Sequence, residues 1–156
     1  MIEVEVPGWA TCRFRHLVLD VNGTIARDGV LLEGVPERLA ELRTRLDVHL
    51  VTADTHGSQD SVDRALGLTA ARIPVQDQAK AKLDYVRRLG IDAVVAIGNG
   101  ANDASMLEAA ALGIAIIGPE GSAVETLHKA RIAVSDIRDA LDLLLNPKRL
   151  IATLRR

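Results

Sequence analysis

A chain of 156 residues has room for one ordinary domain, 1–156, and for burying most of what its unfolded form exposes. Its composition is 48% hydrophobic and 26% charged with a formal net charge of −2, so nothing electrostatic points to nucleic acid or an anionic membrane as a partner. The aromatics are limited to Trp9, Phe14 and Tyr85, too few for a stacking platform, and Cys12 as the single cysteine excludes an intrachain disulfide and any multi-cysteine metal site. The N-terminal stretch carries Glu3 and Glu5 and no apolar run of signal-peptide length. No segment approaches the roughly 18 apolar residues that span a bilayer. A soluble, cytoplasmic protein is the expectation, with a Val, Ile, Leu and Ala core of the kind found in a parallel sheet covered by helices.

In chain order, Ile2, Val4 and Val6 alternate with Glu3 and Glu5, the period of a half-exposed strand. Pro7-Gly8 turns the chain, and the strand is expected at an edge, pairing near Phe14, so that 1–16 form an edge strand or hairpin ahead of a core over 17–156. Leu17 to Val21 read as the first central strand. Asp28-Gly29 predicts a small hairpin within Ala26 to Gly34. Pro36 suits a first helical turn, and Val35, Leu39, Leu42 and Leu46 follow at helical spacing. Val48 to Thr52 is the second strand and Gln59 to Leu66 a helix; Ala71 to Val75 is a weaker strand.

Ala79, Leu83, Val86 and Leu89 mark a helix that Gly90 ends. Ala93 to Gly98 is the strongest strand, leading into Gly-Asn-Gly-Ala-Asn-Asp and a helix through Met106 and Leu107. Gly113 to Gly118 form another buried strand, Ala123 to Ala130 a short helix, Arg131 to Val134 a last strand. Ile137 to Leu145 then make a helix that Pro147 interrupts before a final stretch to Leu154. Five or so parallel strands with intervening helices predict a doubly wound, three-layer α/β domain.

In such a sheet ligands collect at the carboxyl ends of the strands. Asp20, Thr52, Lys80 or Lys82, and the group Asn99, Asn102 and Asp103 all fall there or at a helix start. Singly each has a plain reading: an Asx turn, a helix cap, a solvated lysine, a glycine-rich loop. Together they supply what phosphoryl transfer through an aspartyl phosphate needs. A carboxylate attacks, Mg²⁺ on carboxylate and carbonyl oxygens screens its charge, and hydroxyl, N–H and ammonium groups hold the phosphoryl oxygens. Asp20 suits the first role, the Asn22 carbonyl and Asp103 part of the second, Thr52 and a lysine the third.

These motifs resemble the haloacid dehalogenase (HAD) superfamily of phosphohydrolases, and within it the phosphorylation domain of P-type ATPases and their small soluble relatives. Asp-Val-Asn-Gly-Thr from Asp20 is similar to the nucleophile motif, Thr52 to Asp54 looks like the ATPases' T-G-D segment, and the run from Gly98 follows the GDGxND motif and its downstream strand. The resemblance extends from about Leu17 to Arg156. It implies a Rossmann-like HAD fold, Mg²⁺ as cofactor and a phosphorylated substrate. ATPase-like chains place an apolar residue four positions after the lysine, leucine seven after, then glycine. Lys82, with Val86, Leu89 and Gly90, satisfies that spacing better than Lys80, which stays the alternative.

Two departures bear on competence. Phosphatases of this superfamily carry an aspartate two residues after the nucleophile as general acid and base; here it is Asn22, which cannot exchange a proton near neutral pH. Asn99 stands where the family's Mg²⁺-ligating aspartate does. The expected activity is therefore hydrolysis of phosphoric esters or anhydrides, slowed by Asn22 and Asn99. The alternative is a catalytically reduced domain serving as a phosphate-sensing or protein-binding module. No cap domain fits between Ile25 and Val48 or directly after Thr52. An open site suits a macromolecular phosphoester, a small substrate closed in by another subunit of a homo-oligomer, or no natural substrate. His56 reads as a plain loop residue, and His16, His49 and His128 show no spacing of a metal site.

Overall fold

The computed structural model describes residues 1–9, 11–54 and 57–156; His56 lies outside the described residues. The N-terminal strands β1 (Ile2–Glu5) and β2 (Thr11–Phe14) pair antiparallel, with Ile2 opposite Phe14 as the alternation implies. They form a sheet of their own rather than an edge of the main one. Their inward side chains, including the fully buried Phe14, join the main core, where each fully buried large aliphatic or aromatic side chain contributes about 1.5–3 kcal/mol. Two further contacts fasten this hairpin. Arg131 lies over the Trp9 ring at 4.9 Å, and the Arg156 N–H donates to the Pro7 carbonyl at 3.2 Å.

β3 (His16–Asp20) is buried along nearly its whole length, the consequence of an apolar run with helices on both faces. The hairpin of β4 (Ala26–Arg27) and β5 (Val30–Leu31) turns at Asp28 and Gly29, both at positive φ, the conformation a two-residue hairpin turn requires. α1 (Val35–Leu42) starts with Pro36 in its first turn and buries Val35, Leu39 and Leu42. It ends earlier than its apolar spacing suggests. Leu46 stays buried through a turn in which its N–H donates to the Leu42 carbonyl at 2.8 Å.

β6 (Asp47–Thr52), α2 (Gln59–Leu66), β7 (Ala71–Arg72) and α3 (Gln78–Leu89) follow. The strand expected over Ala71 to Val75 is cut to two residues because Pro74 has no N–H to continue the ladder; its last bond runs from Ile73 N to the Thr52 carbonyl. A 3₁₀ turn at Ile91–Ala93 leads into β8 (Val94–Gly98), and a second at Ala101–Asp103 into α4 (Ala104–Ala109). β9 (Leu112–Ile116), α5 (Val124–Lys129), β10 (Ile132–Val134), α6 (Ile137–Leu145) and α7 (Pro147–Leu154) complete the chain.

The main sheet is all parallel, ordered β10-β9-β8-β3-β6-β7, and its six strands are the six expected along the chain. One face packs against α1, α2, α6, α7 and the N-terminal hairpin; the other packs against α3 and α4. This is the three-layer doubly wound fold. Between β3 and α1 only the β4–β5 hairpin intervenes among the described residues, so no cap domain stands there. No helix of the described residues is long and apolar enough to cross a membrane. β3 lies between β8 and β6, which sets Asp20 in the middle of the sheet's carboxyl edge.

Candidate active site

Directly after Asp20 the backbone coils on itself. The N–H groups of Thr24, Ile25 and Ala26 all donate to the Val21 carbonyl, at 3.2, 3.0 and 3.0 Å, and Gly23 takes φ +81°. This coil turns Thr24 back so that its hydroxyl donates to Asp20 Oδ2 at 3.0 Å and lies 3.4 Å from Asn99 Oδ1. Oxygens from the ends of two neighbouring strands, β3 and β8, thus converge on one hydroxyl.

Lys82 enters from α3, one turn before the buried Val86, and is itself 1% exposed. Its ammonium donates to Asp20 Oδ1 at 2.7 Å, to Asp103 Oδ1 at 2.6 Å and to Asn102 Oδ1 at 3.5 Å, so all three of its protons have acceptors. Lys80, the alternative, points to the surface and pairs with Asp84 at 2.7 Å. Asp103 is fully buried. Its Oδ1 accepts from Lys82, and its Oδ2 accepts the N–H groups of Asn99 and Gly100 at 3.0 and 2.9 Å. Both oxygens of Asp103 are therefore engaged, in fixing the ammonium and the loop. Gly98 permits this closeness, since a Cβ there would lie 2.5 Å from the Asp103 carboxyl.

Two carboxylates and one ammonium share this buried cluster, and they do not share it evenly. Burial, reinforced by the Asp103 charge and opposed by Lys82, pushes Asp20 up to about 7. Burial alone would lower the Lys82 ammonium, but Asp20 and Asp103 outweigh it and hold it above its ordinary value. One cation between two anions favours the charged lysine and leaves Asp20 near the point of protonation.

Thr52 ends β6 beside this cluster. Its Oγ1 accepts the Asp54 N–H at 3.0 Å, which leaves the hydroxyl proton free to donate. Asp54, at φ +50°, accepts from Gln59 N at 3.2 Å and so reaches the start of α2. Asp20, Asn22, Thr52, Lys82 and Asn99 line one open cavity of about 230 Å³. Gln78, Asn102 and Glu120 line it too. A second cavity of about 230 Å³ adjoins Gly23 and Thr24, but its walls are largely Leu32, Ile116, Pro119 and Ile137, and neither Asp20 nor Lys82 reaches it.

Thr24, Gln78 and Glu120 carry no role in the sequence reading. Glu120 lies in the Gly118–Gly121 turn just beyond β9, so the expectation that ligands collect at the carboxyl ends of strands could have found it. Thr24 and Gln78 meet the site only across the fold. Among the described residues no three His, Cys, Asp or Glu side chains are arranged to hold a metal ion. Beside Asp20 stand the Thr24 hydroxyl and the Asn99 amide oxygen.

A family model described as haloacid dehalogenase-like hydrolase matches residues 3–111. An uncharacterized protein of Methanocaldococcus jannaschii is 55% identical over 62 residues, 40% of this chain and 67% of that protein. Among solved structures, 3-deoxy-D-manno-octulosonate 8-phosphate phosphatase from Moraxella catarrhalis, in complex with magnesium ion, phosphate ion and KDO, superposes with a TM-score of 0.64 at 20% identity, covering 91% of this chain and 94% of that one. A phospho-aspartyl intermediate analogue of phosphoserine phosphatase gives 0.64 at 18% identity, covering 85% and 99%. The family match spans more than half of the sequence, and the chain belongs to the haloacid dehalogenase-like hydrolases.

Proposed function

We propose that the protein is a Mg²⁺-dependent phosphohydrolase that works through an aspartyl phosphate on Asp20. The observation that carries this reading is the buried Lys82 ammonium bound to both Asp20 and Asp103 at the carboxyl edge of the sheet, beside an open polar cavity. A cation held there by two anions is placed to draw a phosphoryl group onto Asp20. The superposed phosphatases, one with phosphate and magnesium and one as a phospho-aspartyl analogue, support the same chemistry.

An Asp20 oxygen attacks phosphorus; the new O–P bond forms as the bond to the leaving oxygen breaks, and that oxygen departs with the electron pair. Thr52 and Lys82 hold the phosphoryl oxygens during transfer. Asp103 acts through Lys82 and through the Asn99–Gly100 N–H groups it accepts. Asn22, half-buried at the cavity, can orient a leaving oxygen or a water but cannot pass either a proton, so the leaving group takes its proton from solvent. Water then attacks phosphorus, and the bond to Asp20 breaks to release phosphate. Leaving groups that are stable as anions, acyl and aryl phosphates, are the favoured substrates.

The donor set suits Mg²⁺, a hard ion that prefers oxygen, because Asp20 Oδ2 and Asn99 Oδ1 already converge on the Thr24 hydroxyl. Asp20, the Asn22 carbonyl and Asn99 would hold the ion, which when bound supplies positive charge between the carboxylate and the phosphoryl group. Hydrolysis of p-nitrophenyl phosphate with and without Mg²⁺, comparing wild type with Asp20→Asn, is the test. Loss of turnover in the variant is expected, and activity that survives it removes Asp20 as nucleophile. An inactive wild type that also fails to bind beryllofluoride with Mg²⁺ at millimolar concentration would favour a non-catalytic module.

A further inference from the structure

Asn99 puts a neutral amide at the end of β8, where the resemblance implies a metal-binding carboxylate, and its contacts lead to a carboxylate nearby. The Asn99 side chain donates from Nδ2 to the Gly121 carbonyl at 3.2 Å. The Asn99 carbonyl accepts from Ser122 Oγ at 3.2 Å and from Ala123 N at 2.9 Å. Asn99 is thereby clamped from both its ends to the turn that follows β9. That turn is tight, with Gly121 N donating to the Gly118 carbonyl at 2.8 Å and Gly121 at φ +73°. An aspartate at position 99 has no proton to give Gly121, and its carboxylate would face that carbonyl in repulsion.

The residue carried at the tip of this turn is Glu120. Its carboxylate lies over Gly23, in the coil after Asp20, where an added Cβ would come within 2.4 Å of Glu120 Oε2 and within 2.7 and 2.9 Å of the Asn99 side-chain Nδ2 and Oδ1. Glu120, Asn99 and the coil that presents Asp20 thus crowd around one point, where Gly23, at φ +81°, adds no side chain. Among the described residues Glu120 makes no hydrogen bond and no ion pair, although twelve such pairs occur elsewhere. A carboxylate without a cation, lining the cavity of Asp20, is available for one.

Resting on the phosphohydrolase reading above, we propose that Glu120 supplies the carboxylate charge of the Mg²⁺ site that Asn99 lacks, with Asn99 holding the turn that delivers it. In this chain the charge stands on the turn after β9 rather than at the end of β8, and the amide at 99 serves as the clamp. Glu120 is then a metal-site residue on a side chain with free rotamers, able to reach an ion beside Asp20 or one of its waters. Replacing it should weaken divalent binding by about 10- to 100-fold, the usual cost of losing a supporting carboxylate.

The test is binding of Mn²⁺ to the phosphate-free protein, read from the electron paramagnetic resonance signal of free Mn²⁺ and checked by Mg²⁺ competition, so turnover is not required. Glu120→Gln should weaken binding by at least 10-fold, whereas Glu125→Gln on the exposed face of α5 should change it less than 2-fold. The double variant Glu120→Gln with Asn99→Asp, which returns a carboxylate to β8, should recover most of the loss. Glu120→Gln binding like wild type, or no tighter binding in the double variant, overturns the proposal. If Asp20→Asn weakens Mn²⁺ binding while Glu120→Gln does not, only the role of Glu120 falls. If wild type neither binds Mn²⁺ nor hydrolyses an aryl phosphate, the phosphohydrolase reading falls with it.

Discussion

β3 and β6 carry a polar cluster at each end, and the two clusters are built on opposite terms. At the carboxyl end Asp20 and the Lys82–Asp103 pair are buried charges forced together. At the amino end His16 and His49 share a hydrogen bond at 3.2 Å, His49 reaches the Tyr85 hydroxyl at 3.1 Å, and the exposed Asp47 stands 3.6 Å from His16. There burial, helped by the His16 charge and opposed by Asp47, lowers His49 and favours its neutral form. The amino end satisfies its polar atoms around a neutral His49, with the carboxylate of Asp47 left in solvent. The carboxyl end keeps charges at a cost to the fold, and groups held at a cost beside an open cavity are where chemistry is to be sought.

The contrast is broken hardest at Lys82. Lys82→Met removes the cation between Asp20 and Asp103 and should cost about 3–5 kcal/mol at pH 8, the usual loss when one member of a buried ion pair is deleted, with turnover gone. Urea unfolding at pH 8 and pH 5 checks this; the loss should shrink at pH 5, where Asp20 accepts a proton. Equal losses at both pH values would mean that the cluster is not electrostatically strained.

Asn22→Asp sharpens the chemical side of the comparison. If proton transfer is the missing step, the variant should hydrolyse alkyl phosphates faster by about 10²-fold or more, with a smaller gain on p-nitrophenyl phosphate, whose leaving group needs no acid. A uniform gain on both would point to charge at the cavity rather than to proton transfer.

pH separates the two ends through stability. Asp20, raised in the folded state to about 7, binds its proton more tightly folded than unfolded. Its contribution is therefore full below its unfolded value near 4 and is lost as pH rises through about 7. Asp20→Asn removes that dependence, so the variant should gain on wild type between pH 5 and pH 8, by on the order of 2 kcal/mol. A flat difference across that range would place Asp20 at an ordinary carboxylate value. The smallest effect belongs to the amino end. Tyr85→Phe should cost about 0.5–1.5 kcal/mol, one hydrogen bond, and leave p-nitrophenyl phosphate turnover unchanged; a drop in kcat would mean that the two ends are coupled.

Much of this was legible in order along the chain. β3, β8 and β9 are unbroken apolar runs, as strands buried on both faces must be. Asp20, Thr52 and Asp103 lie at or just beyond the ends of β3, β6 and β8, because parallel connections return every strand to the same edge, and Lys82 reaches that edge from α3. The spacing of Lys82 with Val86, Leu89 and Gly90 also favoured the lysine that turns inward. Other features had no local signal. The N-terminal hairpin alternates like any edge strand, and only its pairing within itself shows that it stands apart. Thr24 reaches Asp20 through a coil that the Asn-Gly-Thr sequence permits without dictating. The relation of Asn99 to Glu120 spans a strand and a helix, and no periodicity records it.

The hydrogen bond from Arg156 to Pro7 places the last residue of this sequence one short strand from the first. A β1-length strand rises only about 3.4 Å per residue, so a flexible linker of about ten residues could join the two ends. The chain could then be reopened at the exposed Asp28-Gly29 turn. Such a circular permutant would read Thr52, Lys82, Asp103 and finally Asp20, with the nucleophile last instead of first. The β3 edge and the Lys82 cluster would be unchanged, because what the chemistry requires is adjacency across the sheet, and the order of residues along the chain is only one way to obtain it.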